Sequence, residues 1–223
     1  MGSRQFEIWR AVEVLEPHYG SAYQIGGRLV LTAAHIVGDV GSKCRLRAKM
    51  GFGEAISTVV WKAQSADVSL IKLPQEVSTC ESAVLGQLPK KREGIFEFQM
   101  YGYPEWAWTN RANKVYEAAG RHVQGLIFWG DSSPDNLLVL DPQRPPTGVL
   151  SNSGSHWQGN SGAAIVCDGL VIAVQRQHQR PDQPASLEAT LLWTIFYNDQ
   201  EWRDLLVQHG MDPNPTDIRP VVE

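Results

Sequence analysis

Short apolar runs separated by Gly, Pro and Ser are the feature that most limits what this chain can fold into. In the first half these runs cover 6–15, 21–25, 29–31, 43–48, 56–61 and 68–73. In the second half they cover 95–102, 114–118, 123–128, 137–140, 163–167, 170–175 and 189–196. Runs of this length bounded by turn residues are typical of β-strands. Because no helical period recurs between them, the pattern predicts an all-β sandwich or barrel with roughly six strands in each half.

A polar segment separates the two groups of strands. Residues 76–93 include the sequence LGQLPKKRE, whose Gly, Pro and charged residues are typical of a linker. With 223 residues, the chain is long enough for one large domain or two small ones. We therefore expect a first unit over 1–88, a second over 89–198, and a C-terminal helix and tail over 199–223.

The C-terminal helix is predicted from its cap and its apolar face. Asn198 or Asp199 can cap a helix over 200–209, and Gly210 follows as a stop signal. At helical spacing, one face then carries Trp202, Leu205, Leu206 and His209. We expect the remaining residues, 212–223, to form an extended and mobile tail.

The composition excludes several classes of protein. Apolar residues make up 43% and charged residues 20% of the chain, which is typical of a globular protein and not of a disordered or coiled-coil one. The net charge of -4 leaves no broad basic surface for DNA or RNA. The apolar runs are too short to span a bilayer, and the N-terminal sequence lacks the apolar core of a secretory signal. We therefore expect a soluble, cytoplasmic protein that binds neither nucleic acid nor membrane.

The three cysteines favour a reducing compartment. Cys44, Cys80 and Cys167 are odd in number and form no close-spaced pair of the metal-binding kind. We expect free thiols that act as small core residues, and no metal site.

Three short stretches carry residue types that hydrolytic enzymes use, in the order His, Asp, Ser. The stretch LTAAH places His35 at the end of a predicted strand, and DVSLIKL places Asp67 at the head of another, 32 residues later. The stretch HWQGNSG places Ser161 between Gly159 and Gly162, just before a predicted buried strand.

These residue types suit nucleophilic catalysis. A serine hydroxyl is a poor nucleophile at neutral pH and needs a base, most often an imidazole, within hydrogen-bond reach. The imidazole in turn needs a carboxylate that orients it and stabilises its charged form. The glycines on either side of Ser161 allow a tight turn in which the amides of Gly159 and Ser161 point at the developing oxyanion.

The sequences LTAAH, DVSLIKL and GNSG, in this order, resemble those of the chymotrypsin and trypsin superfamily of serine peptidases. The resemblance covers about residues 20–196 and implies two perpendicular six-stranded β-barrels with the active site in the cleft between them. It implies that His35 and Asp67 come from the first barrel and Ser161 from the second. The expected activity is that of a serine endopeptidase that cleaves proteins or peptides without a cofactor.

The residue before the serine departs from the zymogen-activated members of the superfamily. Those members carry an aspartate that pairs with a newly formed amino terminus, whereas Asn160 offers no charge for that pairing. The GNSG form is similar to bacterial and organellar peptidases of the high-temperature-requirement type. Isolated peptidases of this superfamily in bacterial cytoplasm resemble effector modules of defence or regulated proteolysis. We therefore expect a regulated intracellular protease with a regulatory protein partner.

The substrate pocket is predicted from the same resemblance. Its floor falls at Ser155, six residues before the serine, and one wall is the strand that ends with VQRQH at 174–178. A floor aspartate would select Arg or Lys substrates, and Ser155 is not one. His156, Arg176 and His178 place positive charge near the cleft, which favours substrates with acidic or amide side chains.

Other interpretations of the same residues stay open. The chain can be a catalytically inactive trypsin-like scaffold that binds protein partners, because a motif does not show geometry. A hydrolase of small esters is disfavoured, because no strand, Gly-x-Ser-x-Gly elbow and helix surround Ser161. Taken singly, His35 is typical of a structural histidine, Asp67 of a strand start and GNSG of a glycine-rich turn. Only their combination favours catalysis.

Overall fold

Two closed antiparallel β-barrels of six strands each make up most of the protein. The structure is a computed structural model. It describes residues 6–104, 108–110, 116–131, 137–143, 157–178, 186–218 and 220. The predicted fold class, all-β with two six-stranded barrels and a C-terminal helix, is confirmed.

The first barrel contains the first six strands of the chain. They are β1 (Ala11–Glu16), β2 (Gly20–Gly26), β3 (Leu29–Thr32), β4 (Lys43–Ala48), β5 (Gly53–Lys62) and β6 (Ser69–Lys72). Their order around the barrel is β1-β2-β3-β6-β5-β4, and pairing of β1 with β4 closes it. Alternate residues of β4 and β5 are buried, as expected for strands with one face toward a core.

The second barrel uses six of the later strands. The remaining strands are β7 (Gly86–Gln87), β8 (Ile95–Gly102), β9 (Trp108–Asn110), β10 (Tyr116–Ala118), β11 (Arg121–Phe128), β12 (Leu137–Pro142), β13 (Ala164–Cys167), β14 (Leu170–His178), β15 (Leu187–Leu191) and β16 (Thr216–Asp217). The barrel order is β11-β12-β15-β14-β13-β8, while β9 pairs with β10 separately. Strands β13 and β14 are apolar along most of their length, and their apolar side chains are buried. The segment from Trp157 to Ala163 leads directly into β13.

The last predicted strand, 189–196, is wrong in its second half. Strand β15 ends at Leu191, and a helix, α1 (Trp193–Asn198), follows at once. The Leu192 amide still donates to Ile172 across the sheet, whereas the Leu192 carbonyl accepts helical hydrogen bonds from Ile195 and Phe196. The apolar run continues because the side chains of Ile195 and Phe196 pack into the core of the first barrel.

A second helix, α2 (Gln200–Gln208), lies where the cap and the apolar face predict it. The Asp199 carboxylate accepts a hydrogen bond from the Trp202 amide at 2.9 Å, so Asp199 and not Asn198 is the cap. Trp202 is fully buried against Trp61 of β5, with 4.8 Å between ring centroids. The helix therefore packs on the first barrel, although it follows the second in the chain.

The expected mobile tail is wrong for its first part. Strand β16 pairs in parallel with β7, in the segment predicted as a linker. Ile218 then packs into the core of the second barrel and is 5% exposed. Neither helix in the described part of the chain is long and apolar enough to cross a bilayer.

Candidate active site

His35 lies in a single turn of 3-10 helix that follows β3. The turn covers Ala34–Ile36, and the side chains of Ala34 and Ile36 are both buried. The small and apolar neighbours therefore anchor the turn in the first barrel. The His35 side chain points outward and is 46% exposed.

Asp67 is brought to His35 by strand pairing. It lies two residues before β6, and β6 pairs with β3 so that Ser69 is opposite Thr32. Asp67 Oδ1 accepts a hydrogen bond from the His35 backbone amide at 2.9 Å, and Oδ2 lies 2.7 Å from His35 Nδ1. An ionised carboxylate can only accept, so Nδ1 is the donor and Nε2 is left as the basic nitrogen. We refer to this pair as the dyad.

The charge state of Asp67 is set by competing effects. The side chain is only 14% exposed, and burial alone would raise its pKa. Hydrogen bonds from His35 and the charge of Arg176, whose Nε lies 3.8 Å from Oδ2, outweigh that burial and lower the pKa of the Asp67 carboxyl. Asp67 therefore stays ionised near neutral pH and can hold the imidazole in one orientation.

Ser161 lies on the second barrel, in a turn that presses against the first. At Gly162 the φ angle is +92°, and a Cβ there would lie 1.9 Å from the Ser21 carbonyl oxygen and 2.4 Å from Thr32 Oγ1. Only glycine permits this backbone conformation and this close approach. The same Cβ would lie 3.0 Å from Cδ1 of Ile36, so the turn that carries Ser161 contacts the turn that carries His35.

Ser21 joins the two barrels at this contact. Its amide donates to the Ser161 carbonyl at 2.8 Å, and its hydroxyl donates to the Gly159 carbonyl at 2.7 Å. The Ser21 hydroxyl also accepts a hydrogen bond from the Tyr103 amide at 2.9 Å. These bonds fix the GNSG turn relative to β2, which pairs with β3, the strand that leads to His35. Sequence reasoning missed Ser21, because nothing in its neighbourhood along the chain signals a contact 138 residues away.

The Ser161 hydroxyl donates to the main-chain carbonyl of Arg176 at 3.0 Å. In the described part of the chain it forms no hydrogen bond with His35. Rotation about χ1 is the motion that moves a serine hydroxyl between two such acceptors. The structure thus brings His35 and Asp67 into direct contact and bonds the Ser161 hydroxyl to Arg176, the residue whose guanidinium lies 3.8 Å from Asp67.

The amides predicted to bind an oxyanion have no competing acceptor within the described part of the chain. Among the residues that the structure describes, neither the Gly159 nor the Ser161 N–H donates a hydrogen bond. The other amides of this turn are engaged, with that of Asn160 donating to Trp157 and that of Gly162 to Gln175. Two unused donors in a turn of otherwise satisfied amides are available to a developing negative charge.

Asn160 is buried beneath the nucleophile turn and is 1% exposed. Neither end of its side-chain amide has a hydrogen-bond partner among the described residues. Its Oδ1 lies so near the α-carbon of Gly102 that a Cβ at that position would be 2.2 Å away. Being neutral, Asn160 is tolerated here at a much smaller desolvation cost than an unpaired aspartate would incur.

Only some of the predicted pocket residues lie in the part of the chain that the structure describes. Ser155 and His156 lie outside the described residues, and of His178 only the backbone, at the end of β14, is described. Arg176 is described and lies next to the dyad, with its side chain 39% exposed. All three cysteines carry free thiols. Across the described ranges, no group of three or more His, Cys, Asp or Glu side chains converges as a metal site would require.

A cleft of about 980 Å³ borders the dyad. Its first-barrel wall is the loop from Lys62 to Asp67, and its second-barrel wall includes Leu137, Thr190 and Arg176. Helix α1 closes one end. The resemblance predicts a cleft between the barrels but not these lining residues, because the walls come from segments more than 60 residues apart.

Comparisons with solved structures show which known fold this architecture shares. No family model and no curated protein matches the sequence. The active form of a protease from M. tuberculosis superposes with a TM-score of 0.61 and 16% identity, covering 96% of this chain and 86% of that one. A human astrovirus serine protease superposes with a TM-score of 0.58 and 15% identity, covering 85% and 93%. The chain has the fold of the chymotrypsin-like serine peptidases.

The chymotrypsin-like fold also occurs in a neighbour described as inactivated. An inactivated protease paralogue of the scabies mite superposes with a TM-score of 0.63 and 13% identity, covering 96% of this chain and 100% of that one. At such identities the similarity establishes the fold alone. Activity must therefore be argued from the site of this chain.

Proposed function

We propose that this protein is a serine endopeptidase that uses Ser161 as nucleophile, His35 as general base and Asp67 as the residue that orients His35. The observation that carries the proposal is the two-point contact between His35 and Asp67, at 2.9 and 2.7 Å, with Arg176 contacting both Asp67 and the Ser161 hydroxyl. This contact leaves Nε2 as the only ring nitrogen free to take a proton. A merely structural histidine has no need of an ionised carboxylate on both its amide and its ring.

The proposed reaction proceeds through an acyl-enzyme. The Ser161 hydroxyl turns from Arg176 to His35, loses its proton to Nε2 and attacks the peptide carbonyl. The amides of Gly159 and Ser161 stabilise the oxyanion, and His35 returns the proton to the leaving amine. Water, activated by His35 in the same way, then hydrolyses the ester and restores the serine. Every step uses the chain's own residues, and the substrate is a protein or peptide.

The same proposal includes a setting in the cell. Free thiols at Cys44, Cys80 and Cys167 suit a reducing compartment, so we propose a cytoplasmic protease. Because Asn160 offers no charge for a new amino terminus, control by a regulatory protein partner replaces control by cleavage. The GNSG sequence supports a bacterial origin and a role as a defence effector.

One observation favours an alternative, a catalytically inactive scaffold that binds protein partners. The Ser161 hydroxyl is bonded to the Arg176 carbonyl and not to His35. If that hydrogen bond persists in solution, the serine is not activated, and the fold serves only for binding.

Covalent labelling by a fluorophosphonate distinguishes the two functions. The probe reacts with an activated serine and needs no knowledge of the substrate. We expect labelling of the wild-type protein, none for Ser161→Ala or His35→Ala, and normal labelling for the control Ser82→Ala, an exposed serine in the segment between β6 and β7. A folded wild-type protein that does not label contradicts the proposal and supports the binding scaffold.

A further inference from the structure

The cleft beside the dyad is lined by two cations and two carboxylates. Arg176 and Lys62 both line it. The acidic residues that line it are Asp67 and Asp199. Asp67 is engaged by His35, and the Asp199 carboxylate caps α2 through the Trp202 amide. The formal charges of these four lining residues balance, so what the cleft offers a ligand is the hydrogen-bonding capacity of its two cations.

The guanidinium of Arg176 has unused hydrogen-bonding capacity. Its Nε lies 3.8 Å from Asp67 Oδ2, which is an ion pair but is too long for a hydrogen bond. Within the described ranges, no acceptor lies within hydrogen-bond distance of this guanidinium. The group carries five N–H donors in a planar fork that matches a carboxylate. A side chain that is 39% exposed toward a cleft can accept such a partner from outside.

Lys62 is held no more firmly than Arg176. Its Nζ lies 3.6 Å from Asp39, a carboxylate that is 98% exposed. Exposed ion pairs of this kind contribute between nothing and about 1 kcal/mol, so Lys62 can exchange Asp39 for another carboxylate.

We propose that this cleft is a subsite for an acidic side chain of the substrate, Asp or Glu, with Arg176 as its receptor and Lys62 as a second cation. The inference rests on the proposed peptidase function and adds the class of substrate. Gln64, Ser65 and Thr194 supply polar groups around the two cations.

The main chain of Arg176 ties this subsite to the nucleophile. Its carbonyl accepts the Ser161 hydroxyl at 3.0 Å, while its side chain reaches the cleft. A carboxylate bound by the guanidinium is therefore separated from the Ser161 hydroxyl by the length of one arginine side chain. Recognition so close to the reacting atoms is expressed in kcat/KM and not only in general affinity for peptides.

Two octapeptide pools of otherwise random sequence, one with a fixed central Glu and one with Gln, test the proposal. We measure the cleavage of each pool by mass spectrometry. For the wild-type protein we expect kcat/KM to be at least about tenfold higher for the Glu pool, since a charge-assisted hydrogen bond contributes about 1.5 to 3 kcal/mol. Arg176→Gln removes this preference and Lys62→Gln reduces it. The control Lys43→Gln, an exposed lysine of β4 that is not part of the cleft, leaves it unchanged.

Peptide binding keeps the inference separate from catalysis. Ser161→Ala cannot turn over, so fluorescence anisotropy with labelled versions of the same pools reports binding alone. We expect Ser161→Ala to bind the Glu pool more tightly than the Gln pool, and Ser161→Ala with Arg176→Gln to bind both alike.

The acidic subsite and the peptidase activity are contradicted by different experimental results. Equal binding of the two pools by Ser161→Ala, or a preference that survives Arg176→Gln, overturns the acidic subsite, whatever the activity. A wild-type protein that binds the Glu pool preferentially but does not react with the fluorophosphonate retains the subsite and loses the peptidase.

Discussion

Asp67 holds His35 at two points, the backbone amide and ring Nδ1, with one carboxylate oxygen on each. The amide contact fixes the distance between the two chain segments, and the ring contact fixes the tautomer. A histidine held in this way keeps the lone pair of Nε2 pointing away from Asp67. The orientation of His35 is thus built into the first barrel and does not depend on substrate.

Substituting Asp67 by Asn tests this orientation directly. The Asn amide group facing Nδ1 would donate, which moves the imidazole proton to Nε2 and removes the base from the serine. We expect kcat to fall by about 10⁴-fold with little change in fold, as this substitution does in such triads. The measurement is peptide turnover together with the circular dichroism spectrum. Asp168→Asn, which alters an exposed carboxylate in the turn between β13 and β14, is the control and should retain full activity; a similar loss there would contradict the assigned role.

Asp67 also makes stability depend on pH. Because its pKa is lowered from the ordinary value of 3.8 in the folded state, its contribution is present above that value and is lost as pH falls through the lower folded pKa. We expect the urea midpoint of the wild-type protein to drop more steeply than that of Asp67→Asn in this acidic range. Parallel slopes for the two proteins across the acidic range would show that the carboxylate is not stabilised by its partners.

Much of the fold was predictable because strand patterns are local. Alternation of buried and exposed residues, bounded by turn residues, marks β4 and β5 in the sequence as clearly as in the structure. The cap at Asp199 and the apolar face of α2 are also local features. The short helix α1 was missed because its apolar residues continue the run of β15, and periodicity cannot distinguish a buried strand from one buried helical turn.

The candidate site was predictable only where residue type carries the chemistry. His35, Asp67 and Ser161 can be read from motifs, because the reaction needs those side chains in that order. Arg176 was predicted near the cleft from the resemblance, but its ion pair with Asp67 was not. Ser21 acts through a contact between segments that are distant in the chain, and no local pattern encodes such a contact. The parallel pairing of β16 with β7 was missed for the same reason.

The hydroxyl of Ser21 is expected to stabilise the junction between the barrels. Removing it by Ser21→Ala leaves the Gly159 carbonyl and the Tyr103 amide without a partner in a buried position, at a cost of about 1 to 3 kcal/mol each. Ser57→Ala is the matched control. Ser57 is also buried, but its hydroxyl has no hydrogen-bond partner among the described residues. We expect urea denaturation to show a clear loss of stability for Ser21→Ala and little or none for Ser57→Ala. Equal effects would mean that the junction does not depend on this hydroxyl.

Substitution of Gly162 by Ala tests the close approach between the barrels, and the same substitution at Gly41 measures the backbone strain alone. Gly162 and Gly41 share a φ of +92°, but a Cβ on Gly41 would meet nothing within 4 Å. Gly41→Ala should therefore cost only the left-handed strain of roughly 1 to 2 kcal/mol. Gly162→Ala adds an overlap with the Ser21 carbonyl, for which overpacking costs suggest roughly 1 to 3 kcal/mol more.

Relief of that overlap requires the GNSG turn to move away from the first barrel, which separates Ser161 from His35. We therefore expect Gly162→Ala to lower both the urea midpoint and the rate of fluorophosphonate labelling, and Gly41→Ala to lower only the midpoint. The comparison is made at a temperature where both variants are folded. If Gly162→Ala labels at the wild-type rate despite its lower midpoint, the contact between the barrels does not position the nucleophile.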